Sequence, residues 1–492
     1  MRNLVKTIGL LAIACTFLFA SCQKMYVIKV ESNNPEWGTV SGGGLYSDGE
    51  QIVIAAVPAN GYYFNYWNDG NTDNPRTVIV SGSTTYTATF SDQPGTGGGG
   101  INGSINLDGT MSENRTLADL GLDIDYIIDG TLYIQGNACL TIEPGVTIAF
   151  TGVDGCIHVG ENAGLKMVGT EAKPIILRGP INNNNIGSWS CVEYNSRRAD
   201  NQLEYVQFLN GGSENCVLYL VGDSKVSMKH CTINGSTAKG IAMWYGSEEK
   251  FYAFENNTIR NCSTYPLVLD DCKSILQLGS GNVYENNHDN YILVCDSWID
   301  DGSTITFNNQ GIPYCFSDDF FATHASKMIV DPGVTLCFKN NCLLDIADDC
   351  YLQVNGTAAE PVVIRSLSNE SGYWQGINIH CDRTTQGGSF LHYCTISGCG
   401  SDENFACLRI DEHTQLALDH VTLANCDTYG ISLYLPSELN FETDDYDYFW
   451  DRLGLTANEL SYTNCHLGHV YDRNSEQVYD GSLIPGASKH RR

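Results

Sequence analysis

Apolar residues recur along this chain in runs of three to five that alternate with polar ones, and Gly, Asn or Pro-Gly divides one run from the next. Leu132-Tyr133-Ile134, Leu165-Lys166-Met167, Val217-Leu218-Tyr219-Leu220, Leu267-Val268-Leu269 and Leu352-Gln353-Val354 are examples. A period of two is the mark of a strand with one buried face. The runs are short and return every 20-odd residues or less, which predicts a coil of roughly 20 residues built from short strands and corners. One such coil cannot bury its inward residues alone, so coils stack into a solenoid. Corners such as Glu255-Asn256-Asn257 and Tyr284-Glu285-Asn286-Asn287 suit this reading, because Asn tolerates the left-handed backbone region and can form ladders between coils.

The solenoid pattern occupies 103–490 and contains a duplication, with blocks at about 131–246 and 319–436. Leu140-Thr141-Ile142-Glu143-Pro144-Gly145-Val146 returns as Met328-Ile329-Val330-Asp331-Pro332-Gly333-Val334. Trp189 returns as Trp374, Tyr205 as Tyr393, and His230 as His420. The order is kept and the spacing varies only slightly. Val146 and Val334 are expected to point inward, and the two Trp to pack rather than to bind sugar.

A different alternation precedes the solenoid. Tyr26–Val30, Gln51–Ala55, Arg76–Val80 and Thr85–Phe90 read as strands of a compact unit over 26–91, with turns at Gly42-Gly43-Gly44 and Asn68-Asp69-Gly70. Phe64 and Trp67 are expected in its core. The Gly-rich segment inside 92–102 reads as a linker.

At the N-terminus, Arg2 and Lys6 precede an apolar stretch from Ile8 to Ala20 that is short for a bilayer span and ordered like a signal peptide. Leu18-Phe19-Ala20-Ser21-Cys22 resembles a lipobox, with Phe19 where Leu is usual. The resemblance implies a signal peptide over 1–21, lipidation at Cys22 and an anchor over 22–25; the alternative is an ordinary signal and a secreted protein. An outer-membrane address follows as an expectation. Its side is open, because Gln23-Lys24-Met25 lacks the acidic residues associated with surface export in Bacteroidetes.

Gly38-Thr39-Val40, Val57-Pro58-Ala59-Asn60-Gly61-Tyr62-Tyr63-Phe64, Trp67 with Asp69-Gly70, and Thr87-Ala88-Thr89-Phe90 together resemble the divergent internalin B-repeat family. That resemblance implies a spacer or adhesion module. The Pro-Gly-Val-Thr, Gly-Thr-x-x-x-Pro and Trp motifs of the solenoid resemble the right-handed, single-stranded parallel β-helices of the pectate-lyase superfamily. They are most similar to β-helix lipoproteins of Bacteroidetes. The expected fold class is therefore all-β, a small module followed by a right-handed parallel β-helix.

Charge narrows the partners. The chain has 57 acidic and 27 basic residues, a net −30, so nucleic acid is not expected. Of 20 cysteines, 18 lie at or after Cys139, without a Cys-x-x-Cys, and are read as buried fillers in preference to disulfides or metal ligands.

The catalytic search finds no complete set. Polygalacturonase-like members of the superfamily carry Gly-His-Gly and Arg-Ile-Lys, and neither occurs here. Asp270-Asp271, Asp300-Asp301, Asp318-Asp319 and Asp348-Asp349 are read as solvated turns. Trp244, Tyr245, Trp298 and Trp450 are the candidates for sugar stacking. Asp444, Asp445, Asp447 and Asp451, in an insertion after the second block, are the weak candidates for Ca²⁺, the only cofactor considered. Two classes stay open: an envelope lipoprotein that binds glycan or a host or cell-surface protein, and a lyase or hydrolase of acidic polysaccharide with its site in a lateral groove.

Overall fold

The computed structural model describes residues 24–91 except 70 and 72, 104–107, 109–180, 185–244, 250–347, 349–380, 388–401, 406–411, 414–434, 454–481 and 484. Cys22, Tyr245, Trp450 and the four aspartates of the insertion lie outside them. The chain divides into two compact units, 1–107 with 122–127, and 108–121 with 128–492. Nearly every element in both is a strand. Among the described residues, no helix is long and apolar enough to cross a membrane.

In the first unit the four expected strands form, together with Gly38–Ser41, Gly44–Ser47 and Tyr63–Trp67, which their short alternation had hidden. They make a four-stranded and a three-stranded sheet. Met25–Ser32 runs parallel to Thr84–Ser91, so the two ends of the module pair. Ile28, Ile54, Phe64, Trp67, Ala88 and Phe90 form its core. The Trp67 indole N–H donates to the Asp73 carbonyl at 2.8 Å, which satisfies the one polar atom of a fully buried ring.

The second unit is a parallel β-helix. Each early coil carries three strands, as in Thr131–Ile134, Cys139–Ile142 and Thr147–Phe150, and each pairs in parallel with its counterpart one coil on. Leu132 lies against Ile157, Val192 against Leu218, Ile241 against Leu267, and Leu336 against Ile364. All eight are buried, so a continuous apolar column runs up the interior. The steps between these partners span 25 to 28 residues, longer than the coil read from the sequence. Three strands with three corners need more chain than the alternating runs alone display.

Corners are fixed by backbone conformation. Gly145 and Gly333 take φ of 93° and 75° after their prolines, and Val146 and Val334 that follow are buried. One bend repeats as a single left-handed residue: Tyr205, His230 and Asn256 have φ of 49°, 53° and 56°. Tyr205 stacks on His230 at 4.7 Å, and Tyr393 on His420 at 4.2 Å. Asn side chains then tie coil to coil. Asn257, fully buried, accepts from Cys231 N–H and donates to the Met228 carbonyl, both at 3.0 Å.

All 17 described cysteines are free thiols and most are buried, in keeping with their role as small apolar fillers. Burial pushes the thiols of Cys231 and Cys262 up to about 12.

Candidate functional site

Most of the β-helix surface is polar, but one flank of the central coils is not. The outward row Tyr219, Ala242, Val268, Leu293 follows the strand register from coil to coil. Ala242, Val268 and Leu293 are buried although they face away from the core, and Tyr219, Tyr265 and Tyr291 pack around them. A cleft of about 670 Å³ lies over this row, and its lining includes Lys239, Trp244, Asp270, Asp271 and Asp296. Apolar floor with polar walls is the usual make-up of a ligand site.

A second cleft of about 590 Å³ adjoins it, with Cys295 and Asp296 common to both. Its walls include Trp298, Phe321, Asp318, Asp319 and Asn341. The two form one groove along the corner where the chain leaves one sheet and enters the next. Trp244 and Trp298 are 54% and 57% exposed, and each stands at a different cleft. Trp298 leans on Phe321 with ring centres 5.5 Å apart.

Two of the acidic pairs read as solvated turns are therefore groove walls. Asp270 is held by Lys250 at 3.0 Å, and that lysine is only 1% exposed. Asp271 caps the short 3-10 turn Cys272–Gln277 by accepting from the Lys273 N–H, and burial raises its carboxyl above the ordinary range. Asp318 and Asp319 enter from the next coil. Asp301, by contrast, is half-exposed and paired with Lys273 at 2.9 Å, a surface contact as expected.

From the second cleft a separate outward row follows the register of the neighbouring sheet: Trp298 beside Phe321, Phe321 beside Asp345, Asp345 beside Asn378, Asn378 beside Arg409. Ionisable groups gather here. His380 Nε2 is 3.2 Å from Asp345 Oδ1, and its Nδ1 is 2.5 Å from Asp411 Oδ2. Arg473 reaches the other Asp411 oxygen at 2.5 Å and donates to the Ile410 carbonyl at 2.9 Å. Hydrogen bonds donated to the Asp345 and Asp411 carboxylates raise the His380 imidazole to about 9, so it is a cation at neutral pH. For Asp411, burial acts upward, but His380 and Arg473 outweigh it and hold the carboxyl well below the usual range. Sequence reading missed this set, because its members come from four coils; only an alignment of the coils by register brings Asp345, Asn378 and Arg409 into one row.

Of the sequence candidates, Trp244 lines the first cleft and Trp298 the second. Trp189 and Trp374 are fully buried, each donating its indole N–H to a backbone carbonyl at 2.9 Å, from Leu209 and Ser397 respectively.

No curated protein and no solved structure matches the chain. Family models do: residues 28–94 match the divergent InlB B-repeat domain, and residues 109–212, the first coils of the solenoid, match the pectate-lyase like beta helix domain.

Proposed function

We propose that this chain is an exported lipoprotein, anchored through Cys22, whose β-helix holds a glycan in the groove between Trp244 and Trp298 without cleaving it. The observation that carries the reading is the exposure of two tryptophans at the two halves of one groove. Exposed rings beside an apolar floor make a patch of the kind that marks an interaction site, and sugar faces stack on rings. The rise from one coil to the next, about 4.8 Å, is close to the length of one sugar unit, so a chain laid along the groove meets equivalent positions on successive coils.

The acidic walls select the ligand. Asp270, Asp271, Asp296, Asp318 and Asp319 repel a polyanion, so a neutral glycan is favoured and an acidic one requires bridging Ca²⁺. A glycan array with and without Ca²⁺ is the test. Trp244→Ala and Trp298→Ala should each weaken binding at least about tenfold, a loss of about 1.4 kcal/mol. Retention of a protein ligand by both variants, with no glycan bound by the wild type, would replace glycan by a protein partner. The anchor is tested separately: Cys22→Ala should leave the membrane fraction, and a mutant that stays there, with no acyl label on the wild type, rejects lipidation.

One observation favours a second reading, cleavage of polysaccharide. His380, cationic between Asp345 and Asp411 and beside Arg473, is a proton donor on the row that leads from the groove. Release of unsaturated or reducing ends by the wild type, lost in His380→Gln, would establish it in place of binding alone.

A further inference from the structure

The outward row that floors the groove begins before the groove does. Going back from Tyr219, the register leads to Glu193, then His158, then Tyr133. Beside this stretch stand Cys156, on the same strand as His158, and Cys191, two residues before Glu193. The Cys156 and Cys191 sulfurs are 3.6 Å apart. These sulfurs and a Glu193 carboxylate oxygen lie within 4.8 Å of one another. His158 Nδ1 is 3.3 Å from Glu193 Oε1, and the two side chains are 27% and 29% exposed.

We propose that Cys156, Cys191 and Glu193 form a binding site for one zinc ion, with His158 orienting the carboxylate.

The sulfur separation is that of one edge of a tetrahedral zinc site. With Zn–S bonds of about 2.3 Å, two thiolates at the tetrahedral angle sit about 3.8 Å apart, and the sulfurs are already at 3.6 Å. Two sulfur ligands with a carboxylate select a borderline-soft ion such as zinc over Ca²⁺ or Mg²⁺, which take oxygen. His158 Nδ1 stands 3.3 Å from Glu193 Oε1 and fixes the carboxylate.

Three protein ligands leave the fourth position to solvent or ligand, the pattern of a reactive zinc rather than a closed structural one. Glu193 is one coil from Tyr219, which lines the first cleft. The ion therefore stands at the end of the proposed groove, although its binding does not depend on the groove holding a glycan.

Cobalt titration of the reduced full chain, in a phosphine reductant without oxygen, tests the site. One equivalent of Co²⁺ should bind with a thiolate-to-cobalt charge-transfer band and the visible bands of tetrahedral cobalt. Cys191→Ser and Cys156→Ser should abolish the charge-transfer band, while Cys295→Ser, which removes a groove thiol elsewhere, should keep it. Cys191 and Glu193 are only half-buried, so Cys191→Ser and Glu193→Gln test the ligands even if Cys156→Ser fails to fold. His158→Gln should weaken binding about 10–100-fold. A wild type without the band, a band that survives in Cys191→Ser, or a Cys156–Cys191 disulfide in metal-free protein isolated without reductant would each overturn the site.

Discussion

Phe150 and Trp189 stack inside the β-helix with ring centres 4.6 Å apart and planes 8° from parallel. Phe338 and Trp374 repeat the arrangement at 4.4 Å and 8°. The aromatic pairs are internal struts: each Trp fills the interior between coils and bonds its indole N–H to the backbone. Trp189→Ala and Trp374→Ala should each cost about 3–5 kcal/mol, read as a fall in the thermal midpoint. A variant that melts with the wild type would show that the interior closes around the lost ring.

The Asn ladder makes a sharper claim, because it concerns hydrogen bonds rather than volume. Asn257→Ala removes the acceptor for Cys231 N–H and the donor to the Met228 carbonyl, in a site closed to water. Each orphaned group costs about 1–3 kcal/mol. Hydrogen exchange should therefore accelerate at Cys231 in particular, and exchange that speeds up only elsewhere would reject the ladder.

His380 gives a pH dependence with a definite sign. Its folded value, about 9, exceeds its ordinary 6.5. The folded state thus binds the proton more tightly, and the contribution is complete below pH 6.5 and is lost as pH rises through about 9. The shift corresponds to on the order of 3 kcal/mol, reduced by the side chain's remaining exposure. Denaturant midpoints should fall between pH 6.5 and 9 in the wild type and flatten in His380→Gln. Equal slopes in both would place the histidine outside the Asp345–Asp411 clamp.

The fold was readable because it depends on local signals. Alternation marks the strands, Pro144-Gly145 and Pro332-Gly333 mark corners, and the recurrence of Trp189 as Trp374 marks equivalent interior positions. The groove was not, because register rather than sequence distance creates it. His158 and Glu193 are neighbours across 35 residues, Glu193 and Tyr219 across 26, and Leu293 and Cys315 across 22. Corners of unequal length destroy any fixed spacing, so no motif search can align these side chains. For the same reason Asp270-Asp271 and Asp318-Asp319 look like solvated turns in sequence, although stacking turns them toward two adjoining clefts. Trp244 and Trp298 stood out as the aromatics outside the recurrence that pairs Trp189 with Trp374.

Two aspartates of the same groove wall should part company under substitution. Asp270 sits over Lys250, whose ammonium is almost fully buried, at 3.0 Å. Asp270→Asn takes the carboxylate from that cation and should destabilise the chain, since breaking a buried ion pair costs about 3–5 kcal/mol. Asp296 is exposed on the rim that the two clefts share. Asp296→Asn should leave the melting point unchanged, within about 0.5 kcal/mol, while weakening the Ca²⁺-dependent part of glycan binding. Thermal melts run beside binding curves separate the two roles. If Asp296→Asn melts early, its carboxylate belongs to the wall; if Asp270→Asn melts with the wild type, Lys250 does not rely on it and Asp270 is available to ligand.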